Sequence, residues 1–194
     1  MGRIIDLSLH LLDLLQNSAH AGARNVHVIL IEDEANDLLE ITVSDDGKGM
    51  SSAEQARVLD PFYTSSGHKE VGLGLPLAAQ AAAMAGGSVS IESNESGGTR
   101  VAVSYRLSHP DRQPLGDVAA TLVSFVAGNP LIDLVFEYQG PKDVFRLDTR
   151  QIRTEGEGQL AFIAKFEEKL RGGLSSAVYR PDRGGLFHEV TGRS

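Results

Sequence analysis

A polar stripe runs down an otherwise apolar helix near the start of the chain, and it limits what can lie against that helix. In residues 4–20, Asp6, His10, Asp13, Asn17 and His20 recur at intervals of 4, 3, 4 and 3, which places them on one face of a 3.6-residue period. The positions between them, including Ile4, Ile5, Leu7, Leu9, Leu11, Leu12, Leu14 and Leu15, are apolar. Most of this helix is therefore expected to be buried, and its stripe must face something polar. The solvent side of an ordinary amphipathic helix would leave the same stripe, so the motifs further along have to decide.

Gly22 fits a helix C-cap, and after it residues 26–32 and 38–44 alternate or run apolar around Asp33-Glu34-Ala35-Asn36-Asp37, a β-hairpin pattern. Ser51 with Glu54 resembles a capping box opening a short helix that ends before Pro61. Residues 75–85 read as an Ala-rich helix with Pro76 in its first turn and Gly86 beyond its end. Residues 88–93 and 99–107 form a second strand pair around Asn94-Glu95-Ser96-Gly97-Gly98. This order of helix, two strands, two helices, two strands predicts an α+β fold in two layers, helices over one sheet.

Charge and composition narrow the partners. A net charge of −8 argues against general binding to nucleic acid or an anionic membrane, because both need a positive surface. With 41% hydrophobic and 23% charged residues over 194 positions, the chain can hold one ordinary domain and a modest addition. The absence of cysteine removes disulfides and thiolate zinc sites and is compatible with a cytoplasmic location. The opening residues lack a secretory signal pattern, and the apolar runs fall short of the ~20 residues a bilayer crossing needs.

Three segments carry chemistry. In Asp13-Leu14-Leu15-Gln16-Asn17 a carboxylate and an amide stand one helical turn apart and can converge on one point. Asn17 offers a neutral oxygen suited to Mg²⁺, and Asp13 could orient or deprotonate an attacking water or hydroxyl. In Ser44-Asp45-Asp46-Gly47-Lys48-Gly49-Met50 a strand-end carboxylate precedes two glycines. The backbone can fold closely under a flat ligand there while Asp45 accepts a hydrogen bond from an exocyclic amine such as adenine's. A tight Asp-Gly turn is the plainer explanation. In Glu70-Val71-Gly72-Leu73-Gly74-Leu75 glycines lead into a helix, whose free N–H groups and dipole attract phosphate. Neither a Walker loop nor a dinucleotide fingerprint fits this segment. His10, Asp13 and His20 lack a third strong ligand for a transition metal.

In this order and spacing the three segments resemble the gyrase, chaperone, histidine-kinase and mismatch-repair superfamily of ATPases, over residues 4–107. Asp60-Pro61-Phe62-Tyr63-Thr64 looks like the family's Phe-containing box ahead of its ATP lid, and Gly98-Thr99 like its last nucleotide-contacting box. The resemblance implies a Bergerat-type ATP-binding fold in which Asn17 ligates Mg²⁺, Asp45 reads the adenine amine, and Gly47, Gly49 and Met50 shape the adenine pocket. Gly72, Leu73, Gly74 and Leu75 would line the phosphates, Thr99 would support the adenine directly or through water, and residues 61–71 would form a lid. His68 and Lys69 within it either touch the γ-phosphate or are ordinary solvated loop residues.

Two departures stand out. Family members that hydrolyse ATP or phosphorylate serine are alike in having Glu where Asp13 stands, and the glycine usual before Val71 is Glu70 here, which would repel triphosphate unless turned outward or shielded by Lys69. Histidine kinases also carry a phosphoacceptor histidine on a helical hairpin before this domain; only a handful of residues precede the first motif here, and no such hairpin fits.

Residues 108–116, with Pro110 and Pro114, read as a linker. After it Asp117 can cap a helix through Ala127, residues 131–138 and 144–149 form a hairpin around Gln139-Gly140-Pro141-Lys142, and residues 159–171 form a last helix. This is a small α+β unit without a catalytic motif, followed by a Gly-rich tail over 172–194. The expected activity is ATP hydrolysis or transfer of the γ-phosphate to a separate protein with Asp13 as base. The alternative is a binding module in which lid closure on ATP controls a protein partner.

Overall fold

The stripe helix forms as α1, Leu7–His20, capped by Asp6, whose carboxylate accepts the Leu9 N–H at 3.2 Å and the Ser8 hydroxyl at 2.6 Å. It ends at Gly22, whose φ of +76° is the left-handed turn that glycine adopts without strain. The hairpin follows as β1, Asn25–Asp33, and β2, Leu38–Asp45, paired antiparallel. Ser51 and Glu54 build the expected capping box at the start of the short α2, Ser52–Gln55. Then come α3, Gly74–Met84, β3, Ser88–Ser93, and β4, Thr99–Arg106. The computed structural model describes residues 6–59, 74–95, 97–141 and 143–176. The proposed lid, Glu70, Gly72 and Leu73 lie outside them.

Beyond the connector come α4, Val118–Gly128, β5, Asp133–Gln139, β6, Val144–Asp148, the single turn α5, Thr149–Ile152, and α6, Gln159–Ser176. Asp117 caps α4 as its sequence position suggests, accepting the Ala120 N–H at 2.8 Å. The helix α6 continues five residues past Arg171. Gly173 makes this possible, because a Cβ there would sit 1.9 Å from the Phe145 ring, and its absence lets the helix lie flat on β6.

All six strands form one sheet in the order β3-β4-β2-β1-β5-β6, with β5 parallel to β1 and every other neighbour antiparallel. Alternate residues point to one face. Across the middle of the sheet the row Ile91, Val101, Val43, Val28, Phe136, Leu147 runs strand to strand on that face. The helices cover it in the lateral order α3, α1, α4, α6, each touching the next. Leu11 and Leu15 of α1, Leu122 and Phe125 of α4, and Phe166 and Leu170 of α6 meet the strand residues in one continuous core. The result is a two-layer α/β sandwich of the Bergerat type. Among the described residues no helix is long and apolar enough to cross a membrane.

The connector is fastened to the same core. The Leu7 N–H donates to Pro114 at 2.9 Å, His10 Nε2 meets Gln113 Oε1 at 3.1 Å, and the buried Arg112 donates to the Leu107 and Gln113 carbonyls. His10 thus leaves the polar stripe and spends its ring on the connector.

Candidate nucleotide-binding site

The core-facing rows through the middle of the sheet are apolar. At the end of β2 the row is Ser93, Thr99 and Asp45, neighbours across three strands, and the C-terminal half of α1 lies against it. Asp45 Oδ2 accepts the hydroxyl of Ser18 at 2.7 Å and Oδ1 accepts the Gly47 N–H at 2.9 Å. Ser18 is 2% exposed. A carboxylate has about four acceptor positions, so each oxygen keeps one for a ligand.

The adjacent acids divide their work. Asp46 accepts the N–H groups of Arg24 and Asn25 at 2.7 and 2.8 Å and the Asn25 amide at 2.7 Å. Partial burial works against its charge, but these hydrogen bonds win and hold its carboxyl below the ordinary value. Asp46 is therefore a clamp on the turn, whereas Asp45 keeps acceptor positions open.

The glycines are required by the chain's own packing. A Cβ on Gly47 would lie 2.7 Å from that of Ala21, and the Lys48 N–H donates to the Ala21 carbonyl at 3.0 Å, docking the loop on the end of α1. Gly49 has φ of +69°, and a Cβ there would lie 1.8 Å from the Asn94 carbonyl oxygen. Met50 donates its N–H to the Ser93 hydroxyl at 2.8 Å, and the Gln55 amide ties the Met50 and Ser93 carbonyls together at 3.2 and 2.7 Å.

On the other side of α1, Gly74 opens α3 against Asp13, and a Cβ on Gly74 would lie 2.7 Å from the Asp13 Cβ. Leu75 turns its side chain into the core and leaves only backbone for a ligand. Asp13 is exposed as a residue, yet partial burial of its carboxyl raises its pKa, with the nearby His10 acting in the opposite direction. Asn17 lies between these two contacts, exposed, one turn from Asp13 and next to Ser18. Hence α1 carries both halves of the site, the Asp45 edge on one side and the start of α3 on the other.

These residues fit a nucleotide with its metal. The Asp45 carboxylate retains acceptor capacity for an amine, and α3 begins with the glycine backbone that phosphate can approach. Among the described residues no cluster of three or more His, Cys, Asp or Glu side chains could cage an ion. A cation here would arrive on the phosphates and take the Asn17 amide oxygen as a protein ligand, as suits Mg²⁺.

Comparison with known proteins decides the family. The model of the histidine kinase-, DNA gyrase B-, and HSP90-like ATPases matches residues 2–109. The chain belongs to this family. It is thus an ATP-binding domain of the histidine-kinase-like type. Among its relatives, the heme sensor protein HssS of Staphylococcus saprophyticus is 36% identical over 66 residues, 34% of this chain and 14% of that protein. The sensor-type histidine kinase PrrB of Mycobacterium leprae is 37% identical over 93 residues, 47% of this chain and 20% of the kinase. The chain therefore matches only a fifth or less of those relatives' length. The crystallised N-terminal domain of a DNA repair protein shares the fold with a TM-score of 0.58 at 18% identity, covering 85% of this chain and 58% of that one. That coverage takes in elements beyond the family match.

Ser18, Ser93, Asp46 and Gln55 are site residues that sequence reasoning passed over. Ser18 follows Asn17 on the helix and had a signal, since a small hydroxyl on the buried side of α1 needs a partner. Ser93, Asp46 and Gln55 have none that is local.

Proposed function

We propose that the chain binds ATP with Mg²⁺ and hydrolyses it, or passes its γ-phosphate to a separate protein, with Asp13 as the base. The observation that carries this is the position of Asp13 at the mouth of α3, with its carboxyl pKa raised by partial burial. A raised pKa makes a carboxylate a better proton acceptor. Asp45 would hold the adenine amine, Thr99 would support the base, and Gly47, Gly49 and Met50 would form the floor. Gly72, Leu73, Gly74 and Leu75 would offer backbone N–H groups to the phosphates. Bound Mg²⁺ would neutralise phosphate charge, and the exposed amide of Asn17 would hold it. The sensor proteins among the relatives support a signalling role with a protein partner, the net charge speaks against nucleic acid or a membrane as one, and a cytoplasmic place of work fits the ATP supply.

The packing of α1 against α4 favours a second reading, an ATP-gated module. Here a nucleotide that shifts α1 also shifts α4, and the C-terminal elements present the change to a partner without turnover.

Following the γ-phosphate of labelled ATP in the native chain and in Asp13→Asn separates the two. Release of phosphate, or labelled protein, that the variant stops supports catalysis by Asp13. Bound ATP that stays intact in the presence of candidate partners supports the gate.

A further inference from the structure

We propose that Ser93 sets the purine preference of this site by fixing the Thr99 hydroxyl as a hydrogen-bond acceptor. The inference rests on the reading of Asp45 and Thr99 as the edge that meets the base.

The argument is an inventory of one hydroxyl. A serine hydroxyl has one hydrogen to give and two lone pairs to receive with. Ser93 Oγ lies 2.8 Å from the Met50 N–H, which can only donate, 2.8 Å from the Gly98 carbonyl, which can only accept, and 2.9 Å from Thr99 Oγ1. Its hydrogen must go to Gly98, because two oxygens at that distance without a proton between them repel. One lone pair takes the Met50 N–H. The other is left for Thr99, so Thr99 donates its hydrogen to Ser93, and every position on Ser93 is used.

Thr99 then faces any ligand with lone pairs alone. Its strand neighbour is Asp45, whose side chain lies on the same face and, when ionised, is also only an acceptor. The edge therefore presents two acceptors and no hydroxyl donor. An exocyclic amine has two N–H bonds and can satisfy both, directly or through a bridging water. An exocyclic carbonyl in its place would put oxygen against both acceptors. Selection of adenine over guanine then depends on Ser93 as well as on Asp45, because a Thr99 free to rotate could donate to the carbonyl and relieve half the conflict.

The test is calorimetric titration of the full chain with Mg-ATP and with Mg-GTP. The native chain is expected to favour ATP, and Ser93→Ala to lower that preference by about tenfold, the scale of one hydrogen bond. Thr99→Val reads the same bond from its other end if Ser93→Ala fails to fold, and it should also lower the preference. In the double variant the loss should not exceed that of Thr99→Val alone. If Ser93→Ala weakens both nucleotides equally, Ser93 only supports the turn and the inference is overturned, while ATP binding stands. Additive losses in the double variant overturn it too. A native chain that binds neither nucleotide overturns the ATP assignment and this inference together.

Discussion

Two neighbouring aspartates at the end of β2 do different jobs, and pH can separate them. The carboxyl of Asp46 is held below its ordinary value of 3.8 in the folded chain, so its contribution to stability is complete above that value. It is lost as the pH falls through the lower folded value. Asp46→Asn should therefore be less stable than the native chain at neutral pH, and the gap should close as solutions are acidified below about pH 4. Thermal unfolding of both proteins across that range measures it; a gap independent of pH would show that the clamp does not work through its charge. The sequence singled out Asp45 of the two because it ends the apolar strand. It could not show that Asp46 is consumed by Arg24 and Asn25, since that needs the strand and the end of α1 brought together. The hydroxyl network of Ser93 was hidden for the same reason, as it joins the Met50 loop after β2 to the Gly98-Thr99 start of β4.

Elements whose signals are local were legible. The capping box at Ser51, the cap at Asp117, the two N-terminal hairpins and, to within one residue at each end, the Ala-rich helix read over 75–85 each follow from residues within a few positions of one another. The end of α6 was not, because Gly172 and Gly173 stop an isolated helix, whereas here Gly173 gives room to the Phe145 ring. Contact between elements also explains why glycine stands at the start of α3. Gly74→Ala would push its new methyl into the Asp13 Cβ, at 2.7 Å. The expected cost is about 1–3 kcal/mol of stability, read from urea unfolding. A variant as stable as the native chain would mean that α1 and α3 are not seated as described.

At the scale of the whole molecule, the unforeseen feature is that the C-terminal strands continue the sheet. Nothing local announces a parallel pairing between β1 and β5, which lie about a hundred residues apart in sequence and meet only because α4 carries the chain across. Val26, Val28 and Leu30 face the same core as Leu134, Phe136 and Tyr138, and the Tyr138 hydroxyl donates to Glu32 at 2.5 Å. A chain ending at residue 116 should therefore lose its cooperative melting transition, since it would expose β1 as an edge and strip α4 from α1. Calorimetry of the full and shortened chains checks this; a shortened chain melting at the native temperature would show that the two parts fold independently. The account as a whole turns on Asp45. Titrating Mg-ATP into the native chain and into Asp45→Asn tests it most directly, because the variant keeps the shape and turns one acceptor into a donor. The account predicts clear binding by the native chain and a loss of at least about a hundredfold in the variant; equal affinity in the two would contradict it.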